Sequence, residues 1–523
     1  MKTAFLNLWR LARAGRTLAA HDALMPLLGS GELPAAGRLL LRLARVGAGR
    51  RRADSTAPLT EALTRLGPSY IKLGQFLATR SDLVGEELAG ELALLQDRLP
   101  PFAQDEALKE VKRAFGAGTQ SLFARIGQPV AAASIAQVHR AVTSEGKDTA
   151  VKILRPGIER RFAQDLESFL FAARTLERWH APSRRLRPVE AVQTLAHSVA
   201  LEMDMRMEAA AIVEMAQNVR SDPGFRVPDV DWTRTARRVL TTNWIDGIAL
   251  SDVQGLRDAG HDLERIADGL IQSFLRHAIR DGFFHGDMHP GNLFVDEKGA
   301  LVAVDFGIMG RLSPSDRRFL AEILFGFITR DYSHVSQVHF DAGYVPKDQN
   351  PHVFAQALRA IGEPLMDKTA EDISMARLLK QLFQVTEQFN MQTQPQLLLL
   401  QKTMVVVEGV ARTLNPRLNM WTTAEPVVRG WVEAKLGAQG RLEDAAESAA
   451  SLGRFVSALP EVLSEAQKAA HMLSDMAQAG GIRLDPETTD RLARAQAQEN
   501  RRTQIALWAA VLALAILALV QVL

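Results

Sequence analysis

The stretch that decides the fold reads His285-Gly286-Asp287-Met288-His289-Pro290-Gly291-Asn292, and thirteen residues past Asn292 comes Asp305-Phe306-Gly307. Between them, N-L-F-V-D and L-V-A-V-D are short apolar runs around a Glu297-Lys298-Gly299 turn, the grammar of a β-hairpin. Phosphoryl transfer needs a carboxylate near the attacking oxygen and hard oxygen ligands for Mg²⁺ beside a triphosphate. An Asp with an Asn five positions on, then an Asp-Phe-Gly after a hairpin, supplies those parts. Asn292 and Asp305 are therefore expected to hold Mg²⁺. Asp287 is the candidate base, or the group that orients the nucleophile.

Working outward, the spacing D-x-x-x-x-N…D-F-G matches the protein-kinase scheme. That scheme also needs a cation on a strand, paired with an acidic residue on a neighbouring helix. Ala150-Val151-Lys152-Ile153 ends a strand-like run, and Lys152 can pair with the α- and β-phosphates of ATP. Glu208, in the helical run Leu201–Glu208, lies where its partner belongs, and Glu202, Met205 and Glu208 are spaced to share one helix face. Where a kinase has G-x-G-x-x-G, this chain has Val130-Ala131-Ala132-Ala133-Ser134-Ile135-Ala136-Gln137-Val138. Alanine tolerates positive φ poorly, so this loop is expected not to approach phosphates as a glycine loop does. The catalytic loop has Gly286 where protein kinases commonly carry Arg.

The surrounding pattern is α+β, a protein-kinase-like two-lobed layout with a helical N-terminal extension and a C-terminal transmembrane helix. Residues 1–55 form a basic amphipathic arm: ten Lys/Arg lie within residues 1–52 against Asp22 and Glu32, interleaved with Phe5, Leu6, Leu8, Trp9 and Leu11. Such a segment can lie on an anionic membrane surface or pack on the main domain. Residues 56–125 read as a helical extension, 126–245 as the N-lobe, 246–435 as the C-lobe and 436–502 as a helical connector. Residues 503–523 read as an anchor, because Ile505–Leu523 carries no charge and spans roughly 28 Å as a helix. Arg501 and Arg502 ahead of it put the bulk of the protein in the cytoplasm.

Composition excludes several classes. The 523 residues include no cysteine, which removes disulfides, Cys-ligated zinc, iron–sulfur clusters and thiol nucleophiles. A formal net charge of +2 gives no global reason to expect nucleic acid.

Taken with these departures, residues 60–435 or so resemble the UbiB-like atypical kinases. The family's K-x-G-Q element matches Lys72-Leu73-Gly74-Gln75, its alanine-rich loop matches A-A-A-S-I-A-Q-V-H, its E-x-D element matches Glu202-Met203-Asp204, and its H-G-D-x-H-P-G-N loop is complete. The resemblance implies that the extension folds across the active site and restricts protein substrates. It adds Lys72 to the catalytic residues, and it adds Gln75, Glu202, Asp204, Ala132, Ala133 and Ser134 to Lys152 and Glu208 as cofactor-binding residues. Lys72 would face Glu202 and Asp204. The implied cofactors are ATP or ADP with Mg²⁺, and the implied setting is ubiquinone biosynthesis at the cytoplasmic face of a bacterial inner membrane. Membrane lipids, a quinone precursor or other quinone-biosynthesis enzymes are the expected partners, with a homodimer open. The hinge segment Thr241-Thr242-Asn243-Trp244 lacks the acidic residue often found there. Two other functions compete: an aminoglycoside-type phosphotransferase, which shares the H-G-D-x-x-x-x-N phrase, and a non-catalytic nucleotide-gated scaffold.

Overall fold

The computed structural model describes residues 2–21, 57–78, 99–179, 187–366 and 395–436, with scattered positions between them. Its first compact unit is Met1–Ala434.

Alternating side chains build the N-lobe sheet. Strands β1 (Phe123–Ala132), β2 (Ala136–Thr143) and β3 (Asp148–Leu154) form an antiparallel meander. Val151 and Ile153 of β3 point one way into a small core with Phe123, Ile126 and Ala141. Helix α5 (Gln104–Phe115) covers that face with Ala107 and Val111. It follows α1 (Lys2–Ala20), α2 (Pro58–Leu66), α3 (Pro68–Ala78) and α4 (Glu86–Leu92) in the chain.

Two helices follow the meander, α6 (Ile158–Trp179) and α7 (Pro188–Glu202), and then α8 (Met205–Asn218). The run Leu201–Glu208 is thus not one helix. The Asp204 carboxylate accepts the Arg206 N–H at 3.1 Å as an N-cap, which starts α8 afresh. Glu202 belongs to α7 and Glu208 to α8, so the shared helix face expected for them does not form.

Strand β4 (Phe225–Arg226) is followed by β5 (Val239–Asn243), which closes the N-lobe sheet in the order β1-β2-β3-β5. The C-lobe carries β6 (Ile248–Ala249), helix α9 (Leu263–Leu275), the π-helical turn Arg276–Asp281 and four short strands: β7 (Phe283–His285), β8 (Leu293–Val295), β9 (Leu301–Ala303) and β10 (Met309–Arg311). β8 and β9 are the hairpin expected around Glu297-Lys298-Gly299, paired Leu293 to Ala303 and Val295 to Leu301. Helices α10 (Pro314–Ile328), α11 (Tyr332–Asp341), α12 (Pro351–Met366), α13 (Pro395–Leu414) and α14 (Met420–Leu436) complete the lobe.

In α1, the basic arm packs on α6. Asn7 and Ala14 are buried, Ser168 Oγ donates to Asn7 Oδ1 at 3.1 Å, and Arg10 donates to the Gln164 carbonyl at 3.2 Å. Phe5, Leu6, Leu8 and Trp9 stay on its exposed side.

The expected membrane anchor is corrected. Among the described residues no helix is long and apolar enough to cross a membrane. The transmembrane part of the expected fold, and the single-pass placement at the cytoplasmic face of an inner membrane, thus have no helix among the described residues to carry them. Residues 503–523, and the connector at 437–502, lie outside the described residues.

The glycine of K-L-G-Q has a packing reason. A Cβ on Gly74 would stand 2.3 Å from Leu95 Cδ1, 2.8 Å from Leu63 Cδ1 and 3.2 Å from Leu92 Cδ2, so α3 nests between α2 and α4 only without a side chain there. Gly74→Ala is expected to destabilise the fold by about 1–3 kcal/mol through overpacking. Thermal unfolding checks this, and an unshifted midpoint would refute it.

Candidate active site

The site assembles from β3, α8, the β7–β8 loop and the residues after β9. Lys152 Nζ donates to Glu208 Oε1 at 2.7 Å and to Asp305 Oδ2 at 3.0 Å. The β3–α8 pairing thus forms as the sequence predicts, and the Asp of D-F-G joins it. Glu208 is buried, with 6% of its side chain exposed, and its Oε1 also accepts the Phe306 N–H at 3.2 Å. Asp305 keeps 38% of its side chain exposed, so it can still reach a cation from solvent. Its Oδ1 accepts the Gly307 N–H at 3.0 Å.

Electrostatics follow from this geometry. Burial opposes the Lys152 charge, but Asp305 and Glu208 outweigh it and hold the ammonium protonated above its usual range. Burial pushes the Glu208 carboxyl up, with Lys152 pulling the other way and Asp305 adding to the rise. Burial also acts to raise Asp305, yet Lys152 and the Gly307 N–H hold it well below the usual carboxylate range.

Backbone contacts order the catalytic loop. His285 is buried, and burial pushes its imidazole pKa down. Its Nδ1 accepts the Asp287 N–H at 3.0 Å, which places the proton on Nε2, facing the Asp305 carbonyl. Asn292 donates through Nδ2 to the Asp287 carbonyl at 3.2 Å, and its Nδ2 lies 3.4 Å from Asp287 Oδ2. Asp287, Asn292, Asp305, Lys152 and Glu208 are therefore brought into one connected cluster.

The residues supplied by the resemblance are distributed differently. Lys72 meets Glu202 Oε2 at 2.6 Å, the two side chains being 8% and 15% exposed. Asp204, in contrast, forks onto Arg206, with Oδ2 at 2.6 Å from Nη2 and Oδ1 at 2.9 Å from Nε. Gln75 lies on α3 one turn from Lys72, and its buried Oε1 lacks a hydrogen-bond partner among the described residues. Ala132 ends β1, Ala133 and Ser134 form the tip of the hairpin, and Ala136 pairs with Leu154, two residues beyond Lys152.

No residue of this alanine loop has a positive φ, as its side chains require. Instead the loop is strapped. Arg155 donates to the Ala133 carbonyl from Nε at 3.1 Å and Nη2 at 2.8 Å, and Nη2 reaches the Pro100 carbonyl at 2.9 Å. Gln137 Oε1 accepts the Phe102 N–H at 2.9 Å, tying the extension to β2. Gln137 lies within the alanine-rich motif but its tie to the extension was not read from it, and Arg155 carried no motif.

At the hinge, the Asn243 N–H donates to Asp229 and the Trp244 N–H to Asp148. An open cleft lined by Arg226, Trp244, Asp246, Asp296 and Lys298 includes none of the expected site residues.

Magnesium fits the donor set. Asp305 and Asn292 are hard oxygen ligands, and Mg²⁺ is held by one or two such groups together with substrate phosphates. Among the described residues no three His, Asp or Glu side chains gather into a self-sufficient metal cage.

A lysine–glutamate pair between sheet and helix, a loop Asp with Asn five residues on, and a D-F-G aspartate after a hairpin define a protein-kinase-like site. Comparison with known proteins refines the class. The ABC1 atypical kinase-like domain matches residues 94–339, and the UbiB helical domain matches residues 358–419. The Marinobacter nauticus protein named "Probable protein kinase UbiB" is 40% identical over 387 residues, covering 73% of this chain and 71% of that protein. A protein of the same name from Azotobacter vinelandii is 39% identical, covering 76% and 75%. A solved structure from Mycobacterium tuberculosis, titled as the Rv3197–erythromycin complex, superposes with a TM-score of 0.52 at 24% identity, over 71% of this chain and 95% of that one, and shares the fold. The chain belongs to the UbiB family of atypical kinase-like proteins.

Proposed function

We propose that this protein is a Mg-ATP-dependent enzyme, an ATPase or a kinase of a lipid or small molecule, that supports ubiquinone biosynthesis. The observation that carries the proposal is the intact cluster of Lys152, Glu208 and Asp305 beside Asp287 and Asn292. In this reading Lys152 binds the α- and β-phosphates, Glu208 fixes its direction, and Asp305 and Asn292 hold the metal. Mg²⁺ when bound supplies charge neutralisation at the transferring phosphoryl group. Asp287 orients the nucleophile and takes its proton. The Ala132-Ala133-Ser134 loop covers the nucleotide without a glycine loop's close approach. A quinone precursor or another enzyme of quinone biosynthesis is the acceptor or partner.

The test is incubation with γ-labelled ATP and Mg²⁺. Release of labelled phosphate, or its transfer to an acceptor, supports the reading. Bound nucleotide without release favours the second reading, a nucleotide-gated scaffold. The buried Lys72–Glu202 pair, which ties the extension to α7, speaks for that second reading.

The buried Lys72–Glu202 pair supports the view that the extension closes over the site. Lys72→Ala is expected to relax this occlusion, read as raised autophosphorylation or a changed preference between ATP and ADP. If neither moves, the occlusion role of Lys72 is wrong.

A further inference from the structure

We propose that Thr403, on α13 of the helical domain, is a positioning residue for Asp287, acting by holding the Gly286–Asp287 peptide. The proposal rests on the phosphoryl-transfer reading above. Thr403 is 1% exposed, and its hydroxyl donates to the Gly286 carbonyl at 3.0 Å, across 117 residues of chain. The other end of that same peptide unit, the Asp287 N–H, donates to His285 Nδ1 at 3.0 Å. A peptide unit is planar, so anchoring its carbonyl and its N–H fixes its rotation and hence the direction in which Asp287 leaves the backbone. One anchor comes from within the catalytic loop. The other comes from α13.

Gly286 itself is packed between Ile308, just before β10, and Leu399 of α13. The Gly286 N–H donates to the Ile308 carbonyl at 2.8 Å. A Cβ on Gly286 would stand 2.8 Å from Ile308 Cγ2 and 3.2 Å from Leu399 Cδ1, and Gly286 is not among the glycines with positive φ. Glycine stands where protein kinases carry arginine because Ile308 and Leu399 of α13 crowd the position, not because the backbone is left-handed. Leu399 and Thr403 are four residues apart and so share the face that meets Gly286. The Thr403 hydroxyl also donates to the Leu399 carbonyl at 2.8 Å, so its single proton is shared, and this back-bond fixes the rotamer that points the O–H at the Gly286 carbonyl.

The experiment uses the full chain with Thr403→Val, which keeps the shape and removes the hydroxyl, and Thr403→Ser, which restores the donor. The kcat and KM for Mg-ATP are measured together with amide hydrogen exchange over residues 283–292. Loss of one buried hydrogen bond used in positioning should lower kcat about tenfold in Thr403→Val, with KM within about twofold. Thr403→Ser should recover kcat, and exchange over 283–292 should quicken in the Val variant alone. A merely structural role would lower the melting temperature and leave kcat per folded molecule unchanged, and that result overturns the proposal. So does a kcat lost in Val and not recovered in Ser. If Thr403→Val does not fold, Thr403→Cys, a weaker donor of similar size, should give an intermediate kcat, and a wild-type value overturns the proposal. A wild-type chain that binds nucleotide without turnover would instead sink the enzymatic reading. Exchange over 283–292 then decides the positioning role alone, and exchange unchanged by Thr403→Val ends it.

Discussion

Asp305→Asn is expected to lower Mg-dependent ATP turnover by roughly a thousandfold while leaving the protein folded. The side chain has two tasks that the substitution separates. Its Oδ1 accepts the Gly307 N–H, and an asparagine oxygen can still do that. Its Oδ2 lies 3.0 Å from Lys152, and it is the charged hard ligand proposed for Mg²⁺. Asparagine loses that charge and can set an N–H against the ammonium, so both metal binding and local electrostatics suffer. Lys152 keeps Glu208 at 2.7 Å, which is why the fold should survive. Turnover and circular dichroism on the same preparation check this. Wild-type turnover in the variant would show that Asp305 is not a metal ligand in the reaction.

The second large effect belongs to Lys152→Ala. Removing the cation leaves Glu208 and Asp305 facing one another with no positive charge between them. Breaking a buried pair in this way costs about 3–5 kcal/mol, and the lower end applies because Asp305 is partly solvated. Nucleotide affinity should fall as well, because the phosphate cation is gone. The pH dependence has a defined sign. Burial and Asp305 already push Glu208 up, and loss of Lys152 pushes it further. A carboxyl whose folded pKa lies above its unfolded value contributes stability below the unfolded pKa and loses it as pH rises through the folded one. The deficit of the variant relative to wild type should therefore shrink as pH falls from 8 toward 5. Chemical denaturation at several pH values tests this. A deficit independent of pH would mean that Glu208 does not carry the uncompensated charge.

Much of the site was legible because its chemistry is local in sequence. Asp287 and Asn292 share one loop, and Asp305 follows a hairpin whose turn, Glu297-Lys298-Gly299, is plain in the residues. The Lys152–Glu208 pairing was legible at a distance because the kinase scheme asks for a carboxylate on a helix beside the strand lysine, and Glu208 lies where that partner belongs. The break at Met203-Asp204 was missed: periodicity ran through it, while the Asp204 side chain caps a new helix. The same capping turns Asp204 toward Arg206, whereas Lys72 is paired with Glu202. Thr403 gave no signal of its own inside an apolar helix. Gly286 was the available clue, since a glycine can mark a close approach, but the sequence could not say that Ile308 and Leu399 make it. The run Ile505–Leu523, read as a spanning helix from hydropathy and length alone, lies outside the described residues, and among those no helix is long and apolar enough to cross a membrane.

The central claim is that this cluster binds ATP through a metal. Calorimetric titration of the wild-type protein with ATP, once in excess Mg²⁺ and once in EDTA, tests it most directly. The structure predicts binding at least about tenfold tighter with Mg²⁺, a difference of about 1.4 kcal/mol. Binding of equal strength in both, or none in either, would contradict it.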